Sequence, residues 1–287
     1  MRICANMSAR GRHQKYMGET KRVLFINSEI FPYLPESPLA NIGRYLPQGI
    51  QDRKKEIRSF MPRFGCINER KHQLHEVIRL SGMNLIIGDV DRPLIIKVAS
   101  LAAARMQVYF IANEDYFNRK ATLTDAKGKA FADNAERAIF FARGVLETVK
   151  KLRWAPDIIH CQGWITHLIP LYLKKSYYKD PIFAHSKVVL SLYNDLQQEP
   201  FQADFMAKAL IPGVKNEDVA LLEQPTGANL ARMAAQFSDG LIFGSPDVEP
   251  ALGDWCRNLG LPTLEFSGES VENGRYIDDY NDFYDQF

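Results

Sequence analysis

The sequence contains no apolar run that approaches the ~20 residues a transmembrane helix needs, so no membrane-spanning helix is predicted. It also carries little excess charge, with a formal net charge of only +2 at pH 7. Global electrostatics therefore point to neither nucleic acid nor a membrane surface as a partner. The four cysteines are widely spaced and form no CxxC pair. This spacing favours reduced thiols in the cytoplasm over disulfides or a zinc site, and no metal is predicted.

The motifs of several enzyme classes are missing as well. The sequence has no nucleophile elbow, no HExxH zinc motif, no P-loop and no GxGxxG dinucleotide motif. The stretch after the first predicted strand, where α/β proteins often place a phosphate-binding loop, has no glycine before Gly43. Pro35 and Pro38 occupy that turn instead.

What is present is an ordinary globular composition of 287 residues, 46% apolar and 24% charged. A chain of this length can bury a substantial core. We divide it into a basic N-terminal extension (1–20) predicted to be disordered, one Rossmann-like domain (21–265), and an acidic, aromatic C-terminal tail (266–287). Two alternatives stay open: translation starts at Met1 or Met17, and the tail either packs on the domain or docks a partner protein.

Hydrophobic patterning predicts an α/β fold. Buried strands are predicted at 21–28, 56–62, 105–113, 157–161, 187–195 and 240–245. In the second half they alternate with helices, which indicates a Rossmann-like, doubly wound and mostly parallel sheet. The strand-rich segment 75–113 indicates antiparallel additions to it. Ser37 and Pro38 predict a helix start, and Pro47 is expected to kink that helix or end it early.

Candidate ligand-binding residues follow the strands, because ligands of such sheets bind beyond the carboxyl ends. His160 lies at the end of a buried strand, where it is either a core histidine or a catalytic one. Asp133 and Arg137 are four residues apart on a predicted helix (128–152). They either form a surface ion pair or place Asp133 at the rim of a cleft.

Five segments between about residue 21 and residue 250 follow one another in a characteristic order. They are SEIFPYLPESPLANIGRYLP (28–47), FADNAERAIFFARGVLE (131–147), PDIIHCQGWITHLIPLYL (156–173), SLYN (191–194) and AAQFSDGLIFGSP (234–246). In order and spacing they resemble the N-terminal domain of glycogen and starch synthases, the family 5 glycosyltransferases. The chain is most similar to a shortened, stand-alone version of this domain from Bacteroidetes-type bacteria.

The resemblance implies the N-terminal half of a GT-B fold, which pairs two Rossmann-like domains. In the family, this half carries the acceptor-glucan site, and the C-terminal half binds most of the ADP-glucose. About 40 residues follow Pro246, too few for a second Rossmann domain, so we expect half of a synthase.

A loop of the family, Lys-x-Gly-Gly-Leu, aligns with residues 35–39 of this chain. It needs glycine so that backbone N–H groups can approach a phosphate, and lysine for its charge. Here Pro35 replaces the lysine, Glu36 adds a negative charge, Ser37 replaces the first glycine, and Pro38 removes an N–H donor. We therefore expect no phosphate site, no ADP-glucose binding and no cofactor.

The resemblance also shows changes at the reactive positions. The active-site histidine of the family's His-Asp-Trp motif is Gln162 here, and the histidine of its Thr-x-His-Asn strand end is Tyr193. These changes argue against independent catalysis, because glucosyl transfer depends on positioned groups at the sugar and the leaving diphosphate. The residues predicted to contact a glucan are Asp133, Asn134, His160, Trp164, Asn194 and Tyr116.

Three functions are compatible with this pattern. The first is a degenerate synthase domain that binds α-1,4-glucan or maltooligosaccharide, or regulates storage-polysaccharide metabolism. The second is a transferase subunit completed in trans by a separate donor-binding chain. The third is a protein-interaction module with no sugar role. The retained scaffold favours the first, and the altered loop counts against the second.

Overall fold

A computed structural model describes residues 20–287. Its strands are β1 (Arg22–Asn27), β2 (Glu56–Pro62), β3 (His75–Glu76), β4 (Met83–Ile87), β5 (Val90–Leu101), β6 (Met106–Ala112), β7 (Ile158–Gln162), β8 (Lys187–Leu192), β9 (Gly240–Phe243) and β10 (Thr263–Leu264). Its α-helices are α1 (Pro38–Asp52), α2 (Glu114–Phe117), α3 (Asn134–Leu152), α4 (Ile169–Lys175), α5 (Phe205–Ala209), α6 (Gly227–Gln236), α7 (Pro250–Arg257), α8 (Gly268–Glu272) and α9 (Tyr276–Tyr284). The predicted N-terminal extension, up to residue 19, and the choice between Met1 and Met17 lie outside these residues.

The strands form a ten-stranded sheet in the order β10-β9-β8-β7-β1-β2-β6-β5-β3, with β4 paired to β5. All neighbours from β10 to β6 are parallel. Strands β3, β4 and β5 add antiparallel pairs. The predicted Rossmann-like α/β fold with antiparallel additions is confirmed. The order of strands reverses between β7 and β1, so the topological switch point, where such folds bind ligands, lies there.

Helices cover both faces of the sheet, as the alternation along β1 shows. Leu24 and Ile26 point into a large core cluster that includes the buried side chains of α3. Val23 and Phe25 point into a second cluster, which contains buried residues of α1 and α9. This two-layer cover is what doubly wound topology requires, and it leaves the carboxyl edge of the sheet open.

The start of α1 is as predicted, but its end is not. The N–H of Ala40 donates to Ser37 Oγ at 2.9 Å, so Ser37 caps the helix. The expectation that Pro47 would end the helix early is wrong, because α1 continues to Asp52. Leu46 and Ile50 are fully buried in the second core cluster, and this packing outweighs the backbone bond that proline removes.

The acidic, aromatic segment 266–287 folds onto the domain as α8 and α9. Tyr280, Phe283 and Tyr284 are buried in the second core cluster. The acidic side chains of α9 and its end pair with basic residues: Asp278 lies 2.6 Å from Arg53, and Asp285 lies 3.0 Å from Lys55. Of the two alternatives for the tail, packing on the domain is the one that the structure shows.

Within residues 20–287, no helix combines the length and the apolar character needed to cross a bilayer. The same part of the chain holds no group of three or more His, Cys, Asp or Glu side chains placed to bind a metal ion. Its cysteines are free thiols, with Cys66 exposed and Cys161 and Cys256 buried.

Candidate functional site

A cleft of about 1010 Å³ lies beyond the carboxyl ends of β1, β8 and β9. Its walls are the turn after β1, the start of α1, the segments after β8 and β9, and the chain from Phe266 to Tyr276. Its lining residues are Glu29, Glu36, Ser37, Pro38, Leu39, Asn41, Ile42, Tyr45, Tyr193, Asn194, Asp195, Gly244, Ser245, Pro246, Asp247, Phe266, Val271 and Tyr276. This is the edge at which ligands of such folds bind.

The cleft is acidic. Glu29, Glu36, Asp195 and Asp247 line it, and no lysine or arginine among the described residues does so. Four carboxylates around one concave space produce a negative potential that repels a diphosphate. The cleft therefore suits a neutral or cationic ligand.

The start of α1, a position that can bind an anion, is partly satisfied by the protein itself. Pro38 has no N–H, and the N–H of Ala40 is taken by Ser37 Oγ. The Ser37 hydroxyl in turn donates to Glu29 Oε2 at 2.7 Å. A carboxylate thus sits where a helix N-terminus would otherwise attract phosphate. The absence of phosphate-binding chemistry in the Pro35–Pro38 loop stays a prediction.

Several buried polar atoms without hydrogen-bond partners converge at the switch point. Asn27 and Ser28 lie at the end of β1, Gln162 ends β7, and Asp195 follows β8. The unpaired atoms are Asn27 Oδ1 and Nδ2, Ser28 Oγ, Gln162 Nε2 and Asp195 Oδ1. An unsatisfied buried polar group costs about 1–3 kcal/mol, so a cluster of them marks a place for groups that both donate and accept hydrogen bonds.

Gly163 permits this convergence. Its φ is +87°, and a Cβ there would lie 2.1 Å from Ser28 Oγ and 3.2 Å from Asp195 Oδ2. Asp195 Oδ2 is fixed by the N–H of Trp164, which donates to it at 2.9 Å. A larger residue at position 163 would displace Ser28 or Asp195, so glycine keeps the floor of the site polar and compact.

Asp195 is electrostatically unusual. Burial raises the pKa of its carboxyl to about 6, and the nearby charge of Glu29 acts in the same direction. The hydrogen bond from the Trp164 N–H opposes both effects. At neutral pH the Asp195 carboxylate is therefore ionised in an environment that disfavours its charge, and this lowers the free energy of unfolding.

We expect Asp195→Asn to stabilise the fold at neutral pH. The folded-state pKa of about 6 lies above the ordinary value of 3.8, so the ionised form is disfavoured in the folded state. This cost is absent below about pH 4 and is fully present above about pH 6. The gain in free energy of unfolding should be at most about 3 kcal/mol near pH 7.5 and should vanish toward pH 4. Urea unfolding at the two pH values measures it.

Asp247→Asn is the matched control, because it removes an exposed carboxylate of the same cleft. Its free energy of unfolding should stay close to that of the parent protein at both pH values. A gain for Asp195→Asn that does not depend on pH, or a loss at neutral pH, would contradict the account of a costly buried charge.

A family model described as the starch synthase catalytic domain matches residues 22–249. The chain belongs to the starch synthase family. Curated glycogen synthases are similar over most of its length: the one from Chlorobium luteolum is 40% identical over 255 residues, and the one from Chlorobium limicola is 36% identical over 255 residues. Each alignment covers 88% of this chain and 52% of the relative. The chain thus spans about half the length of the curated relatives it matches.

The fold of this synthase-family domain is similar to that of a solved GT-B enzyme, the catalytic domain of starch synthase IV from Arabidopsis thaliana bound to ADP and acarbose. The TM-score is 0.69, with 15% sequence identity, and the match covers 88% of this chain and 52% of the other. The predicted resemblance to family 5 glycosyltransferases and the GT-B-type fold are both confirmed.

His160 of the synthase-family domain is a core residue. Its Nε2 lies 2.7 Å from Ser191 Oγ, and its Nδ1 lies 2.7 Å from the hydroxyl of Tyr284. Burial lowers the pKa of His160 to about 3, so the ring is neutral at physiological pH. Of the two alternatives for this histidine, the structure places it in the core, with both ring nitrogens engaged and distant from solvent.

The two altered reactive positions are brought together. The Tyr193 hydroxyl donates to Gln162 Oε1 at 3.2 Å, and both side chains are buried. A Cβ on Gly244 would lie 2.4 Å from the Tyr193 ring, so the tyrosine is held tightly between β8 and the end of β9. Tyr193 lines the cleft, whereas Gln162 is fully buried and is not among the lining residues.

The expected ion pair between Asp133 and Arg137 does not form. The carboxylate of Asp133 pairs with Arg119, whose Nη1 lies 2.7 Å from Asp133 Oδ1. Arg137 is fully buried and turns into the core, where it donates to Asn134 Oδ1 at 2.7 Å. The Asn134 amide also donates to Gln197 Oε1 at 2.8 Å. Asp133 and Asn134 therefore organise the start of α3, and neither lines the described cleft.

Two predicted sugar-stacking residues are packed inside the domain. Trp164 is 4% exposed, and its ring lies 5.3 Å from that of Phe201. Tyr116 is also 4% exposed and lies beneath the guanidinium of Arg92, at 4.9 Å. Of the glucan contacts expected from the sequence, the structure places Asn194 on the surface of the described cleft.

Apart from Tyr193, the aromatic residues that line the cleft were not singled out from the sequence. They are Tyr45 on α1, and Phe266 and Tyr276 near the C-terminus. Tyr45 is 46% exposed and lies beside the apolar stripe of α1, a position that could have drawn attention to it. Phe266 and Tyr276 carry no such local signal, because only the docking of the C-terminal segment brings them to this edge.

Proposed function

We propose that this synthase-family domain binds a neutral α-1,4-glucan in the acidic cleft and acts as a glucan-binding or regulatory protein of storage-polysaccharide metabolism in the cytoplasm. The observation that carries the proposal is the composition of the cleft. Tyr45, Phe266 and Tyr276 supply aromatic surfaces beside carboxylate and amide groups, without a basic side chain among the described lining. Aromatic faces suit the apolar faces of sugar rings, and carboxylates and amides suit their hydroxyls.

The unpaired polar atoms at the switch point support the same ligand class. Asn27 and Ser28 offer both donors and acceptors, Gln162 Nε2 offers a donor, and Asp195 Oδ1, the one of these groups whose residue lines the cleft, offers an acceptor. A sugar hydroxyl both donates and accepts, so it can satisfy such a mixed set. A phosphate oxygen only accepts, and it would meet the carboxylates of Glu29 and Asp195.

The same residues argue against glucosyl transfer by this domain's own groups. Transfer from ADP-glucose requires positive charge or N–H donors at the leaving diphosphate. The start of α1 offers instead Pro38 and the Ser37–Glu29 hydrogen bond. Gln162 carries an amide, which does not transfer protons, and the hydroxyl of Tyr193 is engaged by Gln162 Oε1.

Calorimetric titration with maltoheptaose tests the proposal, with ADP-glucose as the parallel ligand. We expect saturable binding of maltoheptaose with a Kd below about 1 mM, and no heat of binding from ADP-glucose. Tyr45→Ala should weaken maltoheptaose binding about tenfold, because it removes one aromatic surface of the cleft. Tyr178→Ala is the matched control: Tyr178 is 53% exposed and does not line the cleft.

The outcomes separate the three functions. Absence of binding by both maltoheptaose and ADP-glucose would refute glucan binding and favour the protein-interaction module. Binding of ADP-glucose would contradict the argument from the acidic cleft. Glucose transfer that appears only after mixing with a separate donor-binding chain would support the subunit completed in trans.

A further inference from the structure

A second cavity, of about 410 Å³, lies at the opposite edge of the sheet. It forms where β2 and β6 begin and where the antiparallel strand β5 ends. Its volume is that of a site for a small metabolite. The cavity shares no lining residue with the glucan cleft, so what binds there is independent of the proposed function.

Arg58 is the central charged group of this cavity. Its guanidinium lies 5.1 Å from the ring centre of Trp154 and 5.8 Å from that of Tyr109, and Nη1 donates to the Tyr109 hydroxyl at 2.8 Å. Its Nε is buried and has no hydrogen-bond partner. Arg58 forms no ion pair with any described residue, so its charge is held in place but not neutralised.

Arg105 brings a second unpaired guanidinium to the same cavity. It is exposed, and within residues 20–287 it forms no ion pair. The cavity also contains one carboxylate, Glu56, but both of its oxygens are occupied: Oε2 lies 3.1 Å from Arg22 Nε, and Oε1 accepts from Trp154 Nε1 at 2.6 Å. The cavity therefore has an excess of positive charge.

Neutral polar groups complete the wall. Ser100 pairs in register with Gln107 across β5 and β6. Ser59 pairs with Val108, so Arg58, one residue earlier, is adjacent to Gln107. Arg58, Gln107 and Ser100 thus form a polar row across three neighbouring strands, and Gln51 of α1 faces it. Amide and hydroxyl groups beside two guanidinium groups suit an anion that also carries hydroxyls.

We propose that this cavity binds a small phosphomonoester of a polyol, such as a sugar phosphate. The two forks of Arg58 and Arg105 hold the phosphate, because planar guanidinium groups match its oxygens in pairs. Gln51, Ser100 and Gln107 hold the hydroxyls. The domain then carries a neutral-glucan cleft at one edge of its sheet and a phosphate site at the other.

Calorimetric titration of the full chain with glucose 6-phosphate, inorganic phosphate, glucose and citrate tests this assignment. We expect glucose 6-phosphate to bind with a Kd below about 1 mM, inorganic phosphate to bind more weakly, and glucose and citrate to give no saturable heat. Arg105→Ala should weaken glucose 6-phosphate binding about tenfold. Because Arg105 is exposed, this variant should fold normally. Saturation with maltoheptaose should not displace the phosphate ligand.

Arg79→Ala is the matched control, since Arg79 is exposed and lies outside the cavity. It should leave the affinity unchanged. Arg58→Lys keeps the charge but loses the fork, so it should weaken binding of glucose 6-phosphate. Absence of binding by both phosphates, equal affinity in Arg105→Ala and the parent protein, or preference for citrate would overturn the proposal.

Discussion

Tyr284→Ala is expected to lower the free energy of unfolding by about 3–5 kcal/mol, because it leaves a cavity in the second core cluster. Tyr284 is fully buried, and its ring centre lies 6.3 Å from that of Phe25 on the central strand β1. Its hydroxyl also lies 2.7 Å from His160 Nδ1, which would lose its partner. Urea unfolding followed by circular dichroism measures the change.

Two variants separate the contributions of Tyr284. Tyr284→Phe keeps the ring and removes the hydroxyl, so it should cost only about 1–2 kcal/mol. Tyr178→Ala, at an exposed position, should change the free energy of unfolding by less than about 0.5 kcal/mol. A loss below about 1 kcal/mol for Tyr284→Ala would mean that α9 does not unfold together with the rest of the domain.

Arg137→Met is expected to cost about 2–4 kcal/mol, the second large effect. Arg137 is fully buried and donates to the carbonyl oxygens of Tyr116 and Thr122, at 2.7 Å and 2.6 Å, and to Asn134 Oδ1. Methionine fills a similar volume but leaves all three acceptors unpaired. Burial lowers the pKa of Arg137 to about 10, so the buried charge is itself costly. Removing that charge offsets only part of the loss from the unpaired acceptors.

Arg70→Met is the control for Arg137→Met, because Arg70 is an exposed arginine without a side-chain contact that the substitution would break. Its free energy of unfolding should stay within about 0.5 kcal/mol of that of the parent protein. Unchanged or increased stability of Arg137→Met would show that the cost of burying the charge exceeds the value of its three hydrogen bonds. That result would mean that Arg137 does not stabilise the fold.

The acidic cleft beside the start of α1 and the cavity around Arg58 and Arg105 have opposite electrostatic character although they belong to one sheet. Carboxylates gather at the carboxyl edge, where Glu29 and Asp195 follow strands. Unpaired guanidinium groups gather at the other edge, at Arg58 and Arg105. The net charge of +2 hides this division, because it sums all 36 basic and 34 acidic residues of the chain. Local clustering, not total charge, decides which ligands the domain attracts.

The sequence by itself determined the fold class, most of the strand segments and the family. Periodicity is local, so β2 at 56–62 and the cap of α1 at Ser37 could be located from neighbouring residues alone. The changes in the loop from Pro35 to Pro38 could likewise be identified from the sequence, because a missing N–H and an added carboxylate follow from residue type alone.

Only the tertiary structure decided which side chains meet. The hydrogen bond between His160 and Tyr284 joins residues 124 positions apart, and it turned a candidate catalytic histidine into a core residue. The approach of Ser28 and Asp195 over Gly163 depends on three strands ending side by side. Such contacts leave no trace in local periodicity, because their energy comes from packing between segments that are distant along the chain.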